Sequence, residues 1–159
     1  MDALRKHFDA LGFSDVETFI ASGNVIFRSR STNPRALEEK IERHLRKALG
    51  FDVATLIRST SELSAVARSR PFPDADTPGH SLYIGLLRTN PGEAEKMKVL
   101  AMRTPTDEFH VEGRELYWLC RTKSMDSIVS GARLEKTVGM PATFRNVTTI
   151  RKLADKYCK

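Results

Sequence analysis

The sequence predicts an α+β protein with two similar units in tandem, mainly antiparallel sheets and a C-terminal helix. Residues 10–20 recur as residues 48–57 with one insertion, so a helix end, a glycine cap and a strand occur twice. Residues 16–27 are predicted to form a hairpin, because branched and aromatic runs flank Ser22-Gly23. Strand, helix and hairpin follow in that order in the second half. Two β-α-β units joined by a hairpin make the split β-α-β, or ferredoxin-like, arrangement.

The first half contains two predicted helices with recognisable ends. Apolar residues at helical spacing predict a helix over residues 2–11, and Gly12 ends it as a left-handed cap. Asn33 as N-cap and Pro34 as first helical residue open a second helix, which ends at Gly50.

The second copy of the repeat is a complete β-α-β unit, with strands expected at residues 24–27 and 53–57. In the first copy only Met1 precedes the helix. The first strand of the fold, which lies in the middle of its sheet, is therefore expected to be absent. We expect the unpaired N-terminal strands to pair again, or to pair with another chain in a homo-oligomer. The alternative is that Met1 is an internal start within a longer protein.

The second half is predicted to form the second unit. A short helix near residues 60–67 is followed by three prolines and a glycine in residues 71–81, which predict a linker loop. The expected units are therefore 1–70 and 82–159. The elements expected in the second unit are a strand over 82–87, a helix over 93–102, a hairpin turning at Glu112-Gly113-Arg114, a short helix from about Ser124, and a last helix with Ile150, Leu153, Ala154 and Tyr157 on one face.

Composition favours a cytoplasmic globular protein. The 159 residues are 40% hydrophobic and 29% charged, which excludes a disordered or collagen-like chain. No apolar run approaches the roughly 20 residues that span a bilayer, and no signal-peptide pattern is present, so no membrane association is expected. Cys120 and Cys158 give neither a disulfide framework nor metal-ligand spacing.

The formal charge of +6 is concentrated in the last quarter of the chain. Residues 121–159 hold nine Lys and Arg against three Asp and Glu, whereas residues 1–120 hold 17 of each sign. Such asymmetry favours an anionic partner, either a small molecule or a nucleic acid. A basic surface that serves only solubility is the alternative.

Three segments resemble signatures of a bacterial family, domain-of-unknown-function family 1697. They are residues 18–27, the strand Leu82-Tyr83-Ile84-Gly85, and residues 141–153, and the resemblance extends over nearly the whole chain. It implies tandem ferredoxin-like folds and brings no established activity. Family members usually begin with a further strand and a Gly-containing loop, in agreement with the gap deduced from the repeat. Members often carry Trp where this chain has Val147, so a stacking role does not transfer to that position.

The turn into the last helix is the first candidate site. A helix N-terminus favours anions such as phosphate or carboxylate, through free N–H groups and the helix dipole. The residues expected to bind the anion are Arg145, Asn146, Thr148, Thr149, Arg151 and Lys152. The structural alternative is that Asn146 or Thr148 only caps the helix, that Arg145 pairs with an acid, and that the other cations form a solvated face.

The hairpin turn Ser22, Gly23 and Asn24 is a second candidate site. Asn24 presents an amide, and Gly23 lets a ligand approach the backbone. Ordinary turn chemistry, with Asn24 bonding the backbone to hold the hairpin, is the alternative.

The sequence shows no defensible catalytic set, and neither a metal nor a cofactor is expected. The four histidines are far apart and lack metal-site spacing: His7, His44, His80 and His110. Ferredoxin-like sheets bind RNA through exposed aromatics, but Phe19, Tyr117 and Trp118 are expected in cores, which leaves Phe27 as a weak signal.

Three functions are therefore hypothesised. The first is a binding protein for a nucleotide, phosphometabolite or nucleic acid at the entrance of the C-terminal helix. The second is an enzyme acting on a phosphorylated or acylated small molecule, with Arg145 as an electrostatic clamp. The third is an assembly component that pairs through its open N-terminal sheet.

Overall fold

A computed structural model describes residues 2–19, 23–122 and 129–158. Within these ranges the chain forms six helices and two antiparallel sheets, and it divides into two compact units. The first unit ends at Arg58 and the second begins at Ser59. The boundary lies twelve residues before the expected one at residue 70, because the helix after Ser59 packs with the second unit.

The first unit contains two helices and one hairpin. Gly12 and Gly50 have φ of +87° and +83°, the left-handed conformation predicted for both helix ends. Asn33 caps the second helix through Oδ1, which accepts the N–H of Ala36 at 3.1 Å. The elements are α1 (Asp2–Ala10), β1 (Ser14–Thr18), β2 (Val25–Arg28) and α2 (Pro34–Leu49).

An aromatic cluster forms the centre of the first core. The ring centroids of Phe13 and Phe27 lie 4.4 Å apart, and those of Phe8 and Phe27 lie 5.3 Å apart. The apolar stripe of α2, with Leu37, Ile41 and Leu45 buried, packs in the same cluster. Phe27 therefore serves the core and does not form an exposed platform for nucleotide bases.

The predicted hairpin is present as the antiparallel pair β1–β2. The N–H of Phe19 donates to the carbonyl of Asn24 at 3.0 Å, and Gly23 has φ of +80°. Residues 20–22, which include the predicted turn residue Ser22, lie outside the described residues.

The prediction of a strand over residues 53–57 is wrong, since this segment is not part of a sheet. Two of its N–H groups donate instead to carboxylates of α2. Thr55 donates to Glu42 Oε2 and Ile57 donates to Glu38 Oε2, both at 2.9 Å. The segment has strand-like composition, but its N–H groups are satisfied by side chains where a strand would need a neighbouring backbone.

The second unit has the ferredoxin-like strand order. Its sheet runs β4-β5-β3-β6, with all neighbours antiparallel. The ferredoxin-like fold predicted from the sequence is confirmed in this unit, where strand, helix, hairpin, helix and strand follow one another. The elements are α3 (Thr60–Arg68), β3 (Ser81–Leu87), α4 (Glu93–Leu100), β4 (Asp107–Glu112), β5 (Glu115–Cys120), α5 (Gly131–Val138), β6 (Ala142–Asn146) and α6 (Val147–Tyr157).

Both faces of the four-stranded sheet are covered. Residues of α4 and α5 pack on the face of Trp118, while α3 and α6 pack on the face of Tyr117. Phe72 and Ala75 are also buried on the Tyr117 face, so part of the segment expected to be a linker belongs to this core. Tyr117 and Trp118 consequently form no exposed platform of the kind that binds RNA, since they are only 3% and 5% exposed.

One segment near the C-terminus differs from the prediction, and the start of another lies outside the described residues. The expected helix start at Ser124 falls in residues 123–128, outside the described residues, and α5 begins at Gly131 with Ser130 as its cap. Residues 142–146, expected as a turn into the last helix, form strand β6 on the edge of β3. Pairing with β3 decides this conformation, and that partner is more than 50 residues away in sequence.

Candidate functional site

The entrance of α6 is formed by a strand that runs directly into the helix. Asn146 is both the last residue of β6 and the N-cap of α6. Its Oδ1 accepts the N–H of Thr148 at 2.9 Å. The capping alternative therefore holds for Asn146, and this bond satisfies one of the four N–H groups that a helix leaves open at its start.

Arg145 lies on the sheet and binds its own strand. Its Nη1 donates to Thr143 Oγ1 at 2.6 Å and to the carbonyl of Phe144 at 2.9 Å. Its Cα pairs with that of Ile84, which is fully buried. Burial disfavours the charged guanidinium, and it lowers the pKa of Arg145 below the usual value. A half-buried cation at this place would interact more strongly with an anion than a fully solvated one.

Arg151 lies one turn into α6 and uses only part of its guanidinium. Its Nη1 contacts Asp76 Oδ1 at 3.1 Å. Its Nε and Nη2 are buried and have no hydrogen-bond partner among residues 2–19, 23–122 and 129–158. Thr148 and Lys152 are exposed, and Thr149 is half-buried, on the same first turns.

The positive charge of the last quarter is partly neutralised by the loop before β3. Arg121 binds Asp74 through Nε at 2.8 Å and binds Glu108 through Nη2 at 3.0 Å. The hydrogen bond from Arg121 lowers the pKa of Asp74. With Asp76 bound to Arg151, two acids of this loop pair with two of the basic residues, so the net charge overstates the free positive surface.

The second sequence-predicted site lies in the first unit. Asn24 Nδ2 donates to the carbonyl of Phe19 at 3.1 Å, which is the hairpin-holding role given above as the alternative. Ser22 lies outside the described residues. The amide of Asn24 is thus engaged with the hairpin backbone, in a different unit from α6.

Sequence reasoning missed a histidine pair in the first unit. Nδ1 of His7 and Nε2 of His44 are 3.1 Å apart, although the two residues are 37 positions apart in sequence. One ring donates to the other, so the contact joins α1 to α2. No group of three or more His, Cys, Asp or Glu that would hold a metal ion occurs among the described residues.

The comparisons identify the family. Residues 1–117 match the family described as "Protein of unknown function (DUF1697)". The chain belongs to the DUF1697 family. No curated protein matches the sequence.

A solved structure shows that this DUF1697 chain shares its fold with a bacterial protein. The structure is that of a conserved bacterial protein from Streptococcus pneumoniae, which is 19% identical, with a TM-score of 0.74. The match covers 100% of this chain and 89% of the other. In the described part of the chain, no helix has the length and apolar character needed to cross a membrane.

Proposed function

We propose that this protein binds an anionic ligand, and that the ligand lies at the entrance of α6. The observation that carries the proposal is the unsatisfied edge of Arg151. Buried donors without acceptors are rare in native proteins, and each costs free energy. An oxyanion that accepts from both Nε and Nη2 would satisfy this edge with two parallel hydrogen bonds.

The neighbouring residues favour the same ligand chemistry. Arg145 adds a half-buried cation in β6, two residues before the helix begins, and Thr148, Thr149 and Lys152 add donors on the first turns of α6. Phosphate, a nucleotide or a carboxylate meets these requirements, because each presents oxygens that accept from planar guanidinium groups.

A thermal-stability experiment tests this function. The protein is melted with phosphate, nucleotides, coenzymes and short DNA or RNA at low and moderate salt. We expect a small anion to stabilise the wild type, by about 2.7 kcal/mol at 100 times its Kd. Arg151→Lys should abolish the response, because lysine keeps the charge and loses the two-donor edge. Arg145→Ala should weaken the response by removing the second cation.

Lys156→Ala is the matched control, since it removes an exposed positive charge from the last turn of the same helix, away from the entrance. Its response to the small anion should remain close to that of the wild type. Equal stabilisation of wild type and Arg151→Lys by every anion would refute the site. Stabilisation by polynucleotides alone, fading steeply with salt, would indicate a nucleic-acid surface in place of a small-ligand site.

Assembly through the first unit is a second candidate function, and one observation favours it. Within the described residues the sheet of the first unit contains only β1 and β2, so each strand has one edge without a strand neighbour. Open edges of this kind pair readily with strands of another chain. A second copy of this chain would supply such a strand.

Assembly predicts a stability that depends on protein concentration. The melting temperature should rise with protein concentration, because dimerisation stabilises the folded state by mass action. Introducing a charge on the edge strand, as in Ile26→Lys, should remove this dependence. Sedimentation as a monomer over the whole concentration range, with a constant melting temperature, would rule the candidate out.

A further inference from the structure

A cavity in the first unit has the composition of a ligand site. It has a volume of about 650 Å³, which is within the range of small-molecule pockets. It lies where the end of α1, the start of β1, the end of β2 and the first turns of α2 meet. Its lining includes Phe13, Arg28, Ser29, Arg30, Leu37 and Lys40.

The charges of the lining are all positive. Arg28, Arg30 and Lys40 line the cavity, and no Asp or Glu is among the lining residues. Arg28 pairs with Asp15, whose Oδ2 lies 3.0 Å from Arg28 Nε. Both side chains of that pair are largely exposed, at 80% and 72%, so the pair is weak and an anion competes with it readily.

Hydroxyl groups stand beside the cations. Ser29 Oγ accepts the N–H of Ser31 at 3.1 Å, and Ser31 Oγ accepts the N–H of Asn33 at 3.3 Å. Each hydroxyl keeps its own O–H, which can rotate to donate to an oxyanion placed beside it. The first turn of α2, which adjoins these serines, carries no acidic residue, so its positive dipole end is not neutralised there.

The floor of the cavity is apolar and partly aromatic. Phe13 and Leu37 are buried in the core of the unit, at 8% and 9% exposure. Lys40 Nζ lies 5.4 Å from the centroid of the Phe13 ring, so the cation and the ring are already adjacent. A ligand in this cavity would meet an apolar surface on one side and cations with hydroxyls on the other.

We propose that this cavity binds a phosphate monoester whose organic part is a flat or apolar group. The phosphate lies against Arg28, Arg30 and the serine hydroxyls, and the organic part lies on Phe13 and Leu37. This site is separate from the entrance of α6, because all of its residues belong to the first unit.

Isothermal titration calorimetry of the full chain at low salt tests the proposal, with AMP, adenosine and inorganic phosphate as probes. AMP carries both chemical parts, and the other two probes carry one each. We expect saturable AMP binding, with adenosine and phosphate each at least about tenfold weaker. Arg30→Ala should lower the affinity for AMP at least about tenfold. A tenfold loss corresponds to about 1.4 kcal/mol, which is near the contribution of one hydrogen bond to a charged group.

Two further variants separate the local site from the general field. Lys40→Met keeps an aliphatic contact with Phe13 and removes the charge. It should lower the affinity for AMP as much as Arg30→Ala does. Lys47→Ala removes an exposed charge from the last turn of α2, outside the lining, and should change AMP affinity less than about twofold at moderate salt. No saturable AMP binding, an equal loss in Lys47→Ala, or equal affinity for phosphate and AMP would overturn the proposal.

The same titrations distinguish this cavity from the α6 site. Loss of AMP binding in Arg151→Lys but not in Arg30→Ala would overturn the cavity and support the proposed function. Loss of AMP binding in Arg30→Ala alone supports the cavity, and the α6 site is then tested separately by thermal stability with the set of anions. Changes in the NMR chemical shifts of the Gly12, Ser29 and Ser31 amides on addition of AMP would independently show where the AMP binds.

Discussion

Replacing Asp107 with alanine is expected to lower the free energy of unfolding by about 3 kcal/mol. Asp107 is 1% exposed and lies at the start of β4. Its carboxylate accepts from Trp118 Nε1 at 2.8 Å and from the hydroxyl of Thr104 at 2.6 Å. Alanine would leave the indole N–H, on a side chain only 5% exposed, without this acceptor, and a buried donor without an acceptor is costly.

Chemical denaturation followed by tryptophan fluorescence measures this effect, since Trp118 is the only tryptophan of the chain. Asp107→Asn should be milder, because its carbonyl still accepts from the indole. Asp155→Ala, on an exposed position of α6, should stay within about 0.5 kcal/mol of the wild type. If Asp107→Ala is as stable as Asp155→Ala, the carboxylate does not hold β4 to β5 as described.

Gly85→Ala is expected to destabilise the second unit by about 1–3 kcal/mol through overpacking. Gly85 lies in the centre of β3, and a Cβ there would come within 2.5 Å of Phe144 Cε1. Gly131 lies close to the other edge of the ring, since a Cβ built there would be 3.1 Å from Phe144 Cδ2. Two glycines thus make the space in which this ring packs between β3 and the start of α5.

Thermal or urea unfolding of Gly85→Ala measures the loss, and Gly131→Ala is the matched comparison with a smaller expected loss. In the double variant Gly85→Ala/Phe144→Leu the smaller side chain relieves the clash, so its loss should be less than the sum of the two single losses. Strict additivity would show that the Phe144 ring is not what restricts residue 85.

The helix ends of this protein were predictable because their causes are local. The side chain of Asn33 bonds an N–H three residues away, and Gly12 and Gly50 adopt the positive φ that glycine permits without strain. The tight hairpin at Gly113, with φ of +59°, follows from the same freedom. Such features depend on residues within one turn of chain, and the sequence contains that information directly.

The candidate site was only partly predictable for the opposite reason. The sequence correctly placed Asn146 beside a helix start, but it did not show that Arg145 lies on a strand paired with β3. The contact of Arg151 with Asp76 joins residues 75 positions apart, and the His7–His44 contact joins residues 37 apart. Spacing rules for motifs do not reach over such separations.

The sequence alone determined the α+β class, the tandem arrangement, and the caps of α1 and α2, because periodicity and capping are encoded in neighbouring residues. Only the tertiary structure decided that residues 53–57 are not a strand, that residues 142–146 are one, and that α3 belongs to the second unit. Strand pairing and core membership depend on partners that are distant in sequence. A segment of strand-like composition becomes a strand when its partner is a backbone edge, and stays outside the sheet when its partners are glutamate side chains.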